Sequence, residues 1–215
     1  MIRTPVYALT DEGRARRLVR EHGWATLVSH TATGLVASHV PVLLEDDDEF
    51  TVVSHVGRPD DEQHELGEHE VLLVVEGPYG YVSPGWYGYE PAVPTWNYVA
   101  VHLYGTPELL GPEDTYRVLD ATTDRYEDAM PAPVRLPDVA EYAARIAPGA
   151  AGFRLRVTRW EGRAKLSQDK PRAVVERVVA QLEAEPADHP YANPALAAEM
   201  RAELMRRPSR PGDGR

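Results

Sequence analysis

The chain has no cysteine, which excludes disulfides, thiolate metal sites and cysteine nucleophiles. It lacks an apolar run long enough to span a bilayer, and its opening residues, MIRTPVYALTDEGR, lack an apolar signal region. A cytoplasmic protein with no membrane contact is expected. Positive charge is also scarce: the net charge is −11, and no basic patch or helix-turn-helix pattern is present, which argues against nucleic acid as a partner. Scarcest of all is lysine. Of 23 basic residues only Lys165 and Lys170 are lysine, leaving 21 arginines. Two lysines five residues apart in such a chain invite a chemical role, with chance retention on a solvated turn as the plain alternative.

What is present fits one domain with a small appendage. At 215 residues and 43% hydrophobic, the chain is large enough for a real core. The expected division is a cofactor-binding domain over 1–185, including a helix over 172–185, and a C-terminal helical extension with a disordered tail over 186–215.

The most informative stretch is Pro94 to Gly105, PTWNYVAVHLYG. Its two-residue period predicts a strand with Thr95, Asn97, Val99, Val101 and Leu103 on one face. Trp96, Tyr98, Ala100, His102 and Tyr104 line the other. The aliphatic face reads as core. The aromatic face suits a flat cofactor or a subunit interface, unless it is simply the aromatic interior of a central strand.

Around it, Thr10-Asp11-Glu12 opens a helix that Gly23 ends. Strands are predicted over Trp24–His30, Leu35–Leu44 (Pro41 marking an edge or bulge), Phe50–Val56 and Val71–Glu76. Gly77-Pro78 is expected to turn the chain into a further strand, Tyr79–Tyr87. Glu45–Glu49 reads as a solvated turn, and Asp60–His69 as one or two helical turns. Helices follow over Glu113–Glu127 and Val139–Ala147, then a strand over Phe153–Trp160 and a helix over Arg172–Glu185. Short strands without regular strand–helix alternation predict an α+β barrel with helices added.

Several blocks then occur in one order: ATLVSH, GLVASHVPVLL, SHVGRP, YVSPGWY, VPTWNYVAVHLYGT and EGRAKLSQDKP. Together they resemble the PaiB-like, FMN-binding family of split β-barrels related to pyridoxamine-phosphate oxidases, from about Trp24 to Pro171. The resemblance implies a split barrel with flanking helices and a homodimer holding a flat cofactor in the cleft between subunits. It implies FMN as that cofactor, with Arg58 a phosphate ligand and Trp96, Asn97 and Tyr98 near the ring. It also sets the KLSQDK turn beside the cofactor, with Gln168 hydrogen-bonding substrate.

The chain departs from the family pattern at two places. SPSWYPSK becomes Ser83 to Glu90, SPGWYGYE, so a lysine is replaced by Glu90. HVARANPxW becomes HVGRPDDEQHEL, which puts acids where an anionic cofactor tail would rest and introduces His64. A neutral imidazole on a short helix is an axial ligand of haem iron, so His64 is the expected metal ligand, with His102 next. In this respect the chain is similar to the haem-dependent piperazate synthases, which close an N–N bond in N5-hydroxyornithine. That branch implies haem b, a hydroxylated diamino acid as substrate, and Lys170, Lys165 or Tyr98 for proton transfer, with Lys170 favoured. The alternatives are an FMN-binding negative transcriptional regulator or flavin oxidoreductase, and a haem-binding or haem-degrading protein.

Overall fold

A computed structural model describes residues 4–45, 48–185 and 189–206. Its strands are Ala8–Leu9 (β1), Trp24–Thr31 (β2), Gly34–Leu44 (β3), Thr51–Gly57 (β4), Val71–Val82 (β5), Thr95–Gly105 (β6), Glu108–Leu109 (β7), Ala150–Arg156 (β8) and Arg159–Lys165 (β9). The α-helices are Glu12–Glu21 (α1), Asp60–Gln63 (α2), Pro112–Glu127 (α3), Ala140–Ile146 (α4), Arg172–Leu182 (α5) and Pro194–Arg206 (α6). The class is α+β, a curled antiparallel sheet with flanking helices, as the strand pattern predicts. Two compact units share these elements, each built from separated stretches of chain.

The first unit takes residues 11–75 and 101–161. Its strands pair in the order β5, β2, β3, β4, β8, β7. Thr31 to Gly34 closes a hairpin in which Trp24 faces Pro41 and Thr26 faces His39. At Pro41 the long strand β3 changes partner: beyond it Val42 faces Ser54 of β4. Proline has no N–H to give a ladder, and its carbonyl is held instead by the Ser54 hydroxyl at 2.6 Å. The sequence marks this corner correctly. Helix α1 starts at Asp11, whose carboxylate accepts from the Arg14 amide at 3.2 Å. It buries Ala15, Leu18 and Val19, one stripe at helical spacing. The core of this unit includes Leu27, Leu73, Val52, Phe153 and Leu155, all fully buried.

The second unit gathers the described residues of 1–10, 76–100 and 162–215. Its strands pair in the order β1, β9, β6, β5. Helices α5 and α6 pack together and bury Val174, Val175, Val178 and Leu182 from one, and Leu196, Ala197, Met200 and Leu204 from the other. Asn193 sets the angle between them. Its amide donates to the Leu182 carbonyl at 2.7 Å, its side-chain oxygen accepts from the Leu196 amide at 3.0 Å, and its side-chain nitrogen donates to the Tyr79 carbonyl at 2.9 Å.

Three expectations need correction. Gly77-Pro78 does not turn the chain, because β5 runs unbroken from Val71 to Val82. Pairing with β2 ends at Val75, so that partner asks no N–H of Pro78. The strand expected over Tyr79–Tyr87 ends at Val82 and gives way to a short 3-10 turn, Pro84–Trp86. The single strand expected over Phe153–Trp160 is two, β8 and β9. Between them the Val157 amide donates to the Phe50 carbonyl and the Thr158 amide to the Tyr104 carbonyl, both at 2.9 Å. Part of the acidic turn at Glu45–Glu49 and the tail RRPSRPGDGR from residue 207 lie outside the described residues.

The side chain of Asn193 caps the second helix of the α5–α6 pair, so Asn193→Ala should cost about 1–2 kcal/mol, the usual range for losing an N-cap. Urea unfolding would measure it, and an unchanged midpoint would mean that α6 docks without its cap.

Candidate active site

A cavity of about 400 Å³ lies within the second unit, lined by residues that include Tyr7, Tyr87, Tyr89, Asn97, Lys165 and Lys170. Three local features bring them together. The β1–β9 ladder pairs Ala8 with Arg163 and Leu9 with Gly162. A Cβ on Gly162 would come within 2.8 Å of the Leu9 carbonyl oxygen, so glycine permits the close approach that fixes Tyr7, the residue before β1. The start of β6 supplies Thr95 and Asn97. The end of β9 and the turn after it supply Lys165, Ser167, Asp169 and Lys170.

That turn is held against its own preference. Ser167 has φ of 61°, a left-handed conformation that costs a non-glycine residue about 1–2 kcal/mol. Asn97, fully buried, compensates: its side-chain nitrogen donates to the Ser167 hydroxyl at 2.9 Å. Gln168 braces the other side, accepting from the Leu166 amide at 2.7 Å and donating to the Ala164 carbonyl at 2.5 Å. Both ends of the Gln168 amide therefore serve the turn. Gln168 is buried and braces the turn, and it is not among the residues that line the cavity.

The two lysines are poised in opposite ways. Lys165 donates to the Thr95 hydroxyl and, at 2.9 Å, to the Trp96 carbonyl. Burial, followed by the nearby Arg163 charge, pushes its pKa below the ordinary lysine value. Lys170 forms an ion pair with Asp169 at 2.8 Å, and that hydrogen bond raises its pKa against the effect of burial. Burial by itself raises Asp169, but hydrogen bonds from Lys170 and Tyr7 outweigh it and leave the carboxyl below its ordinary value. Tyr7 is raised by burial and then by the Asp169 charge. The pocket thus holds two lysines whose pKa values move in opposite directions.

The aliphatic face of β6 is buried through Asn97, Val99, Val101 and Leu103. The aromatic face is half open. Trp96 is 53% exposed, its ring 6.4 Å from that of Tyr79 and 6.1 Å from that of Tyr81. Tyr98 sits on this face with the Arg163 guanidinium 5.9 Å from its ring, and it does not line the lysine cavity. His102, also on this face, stacks edgewise on Tyr104 at 6.5 Å.

Arg58 and His64 belong to the first unit. The acidic helix α2 puts Asp61 in an ion pair with Arg58. The other carboxylate oxygen of Asp61 is buried with no hydrogen-bond partner among the described residues. His64 caps α2 and is fully buried. Its Nδ1 meets the Ser29 hydroxyl at 2.8 Å and its Nε2 the Ser38 hydroxyl at 2.9 Å. Burial lowers its pKa against the opposing charge of Asp60, so it is a neutral imidazole. Both ring nitrogens are thus occupied, and of the two hydroxyls that of Ser38 belongs to the less buried residue.

Residues 1–159 match the model of the family described as "Putative FMN-binding domain". The chain belongs to this family. It is 30% identical over 186 residues to Protease synthase and sporulation protein PAI 2 of Bacillus subtilis strain 168, covering 83% of this chain and 87% of that protein. Among solved structures it is similar to the FAD and heme binding protein from Mycobacterium smegmatis, with a TM-score of 0.54 and 17% identity over 74% of this chain and 73% of that one. It is also similar to the flavocytochrome Anf3 from Azotobacter vinelandii, with a TM-score of 0.57 and 15% identity over 76% and 72% of the two chains. At these identities the likeness shows the fold, the split barrel with flanking helices.

For an FMN-binding family the phosphate is the demanding group, since a phosphate near two negative charges needs free cations or amide donors. At Arg58 one guanidinium nitrogen pairs with Asp61, and Asp60 and Glu62 add negative charge beside it, which makes the site a poor match for a phosphate. The lysine turn falls after the last residue matched to the family. Tyr7, Tyr87 and Asp169 were not foreseen from sequence. Asp169 stands in plain view inside KLSQDK, but only the β1–β9 ladder shows that Tyr7 reaches it.

Asp169 titrates below its ordinary value when folded, so the stability it contributes is present above its unfolded pKa, about 4. It is lost as pH falls through the lower folded value. Asp169→Asn should flatten this acid limb of the stability profile. A limb as steep as in the wild type would mean that another carboxylate produces it.

Proposed function

We propose that this member of the family is a haem-dependent enzyme that closes an N–N bond in N5-hydroxyornithine to give piperazic acid. One observation carries the haem reading: where the resemblance places the FMN phosphate, Arg58 is neutralised by Asp61 and a buried, neutral His64 stands on the same segment. A neutral imidazole suits iron, and ligation through Nε2 would exchange the Ser38 hydrogen bond for a metal bond.

The overall change breaks one N–O bond, forms one N–N bond and releases water, with no net gain or loss of electrons. Bound haem would supply a Lewis-acidic iron for the hydroxylamine. The chain's own residues supply the protons. Lys165 is the base for the attacking amine, because its ammonium form is disfavoured. Lys170, kept protonated by Asp169, donates to the departing oxygen. Sequence reasoning favours Lys170 for the proton shuttle. The opposed pKa directions support giving the base to Lys165 and the acid to Lys170. Asn97 and Gln168 position both by holding the turn, and Tyr7 fixes Asp169. We also propose a homodimer that buries the exposed Trp96 and Tyr79, 53% and 58% exposed, together with the half-buried Tyr81.

The second reading, supported by family membership and by the Bacillus subtilis relative, is an FMN-binding regulator or flavin oxidoreductase. A third, supported by the neighbour that is a FAD and heme binding protein, is haem binding or degradation without lysine chemistry.

The absorption spectrum of the purified protein should show a Soret band, and His64→Ala should remove or shift it. Flavin bands in the wild type would reject haem. Lys165→Met should lower turnover by about two to four orders of magnitude, a usual size for acid–base catalysis, at unchanged haem content. Lys165→Arg should fail to rescue, because guanidinium stays protonated. Wild-type turnover in both Lys165→Met and Lys170→Met would remove the lysines from the mechanism. Light scattering should give twice 23.9 kDa; a monomer with cofactor bound would exclude the dimer.

A further inference from the structure

A second cavity, of about 690 Å³, lies wholly within the first unit, between β4 and the helices α3 and α4. The reading of the lysine pocket leaves it unused. Leu119, Ala143 and Ile146 give it apolar walls, and its volume falls in the range of small-molecule sites. No lysine or arginine lines it, and the carboxylate of Glu127 does.

His55 is the anomaly in this wall. It sits on β4 opposite Gly152 of β8, a cross-strand neighbour with no side chain to meet its ring. Neither ring nitrogen has a hydrogen-bond partner among the described residues, and Nδ1 is buried. Nδ1 is closed off, so Nε2 is the ring nitrogen that a molecule in the cavity can reach. Most other polar groups nearby are already committed, the half-buried Tyr116 hydroxyl being an exception among the described residues. Thr122 and Thr123 donate back to the Val118 and Leu119 carbonyls at 2.7 and 2.9 Å, and Tyr126 donates to the Gly23 carbonyl at 2.9 Å. Glu127 accepts from the Val134 amide at 2.8 Å. Burial also lowers the His55 pKa, so the ring is neutral and presents one donor and one acceptor.

These features define a ligand. It is largely apolar to match the walls. It is not an anion, because no cation lines the cavity and a carboxylate does. It carries a polar group at its His55 end, because the ring there lacks a partner among the described residues. A hydroxyl serves best, since it both donates and accepts and so suits either tautomer of the ring. We propose that this cavity binds an uncharged, mostly apolar small molecule bearing a single hydroxyl, held by a hydrogen bond to His55. The inference is independent of the haem and lysine reading.

Calorimetric titration of the full chain with three matched probes tests it: thymol, para-cymene, which is thymol without its hydroxyl, and cumate, which carries a carboxylate instead. Thymol should bind about three- to tenfold more tightly than para-cymene, the factor expected of one neutral hydrogen bond. Cumate should bind more weakly than thymol by tenfold or more. His55→Phe should keep para-cymene binding and erase the preference for thymol. If that variant does not fold, Thr123→Trp, on the half-buried side of the wall, should fill the cavity and abolish binding of both neutral probes. Failure of thymol to bind up to its solubility limit would overturn the proposal. So would a thymol preference that survives His55→Phe, cumate binding as tight as thymol, or thymol binding unchanged by Thr123→Trp.

Discussion

The hydrogen bond from the buried Asn97 amide to the Ser167 hydroxyl is the contact on which the lysine pocket depends. A buried amide must be paired, and a serine in the left-handed region must be held there. Each requirement meets the other. The same Asn97 nitrogen lies 3.5 Å from the Met200 sulfur of α6, so the strand, the turn and the terminal helix meet at one side chain. Without it the turn would relax towards an ordinary conformation, and Lys165 and Lys170 would lose the surroundings that shift their pKa values in opposite directions.

Much of this was legible in the sequence, for reasons that differ by residue. The two faces of Thr95–Gly105 were readable because period-two alternation reports burial directly. The corner at Pro41 was readable because proline cannot serve a ladder. Gly77-Pro78 misled, because the same pair that ends a hairpin is tolerated in a strand once its partner no longer needs an N–H. The break between β8 and β9 was hidden, since Val157 and Thr158 both favour strands and only bonds to Phe50 and Tyr104, distant in sequence, bend the chain there.

At the candidate sites, residue type was legible and pairing was not. The rarity of lysine singled out Lys165 and Lys170, and the acidic HVGRPDDEQHEL segment singled out Arg58 and His64. Which way each lysine's pKa moves depends on burial, Asp169 and Arg163, and composition says nothing of those contacts. Likewise the ring of His64 is satisfied by Ser29 and Ser38, whereas that of His55, an ordinary strand histidine by sequence, is not. The difference lies in what the opposite strand happens to offer.

The interleaving of the two units has a consequence for synthesis. A ribosome releases the chain from its N-terminus, and domains tend to fold as they emerge. The first unit has all its segments once residue 161 has appeared, so its sheet can close while the rest is still being made. The second unit holds its early strands open until β9, α5 and finally α6 arrive. Tyr7 therefore waits for Lys165, Asp169 and Lys170 until the turn after β9 has appeared. The scaffold of the first unit is thus complete before the lysine pocket has its last walls.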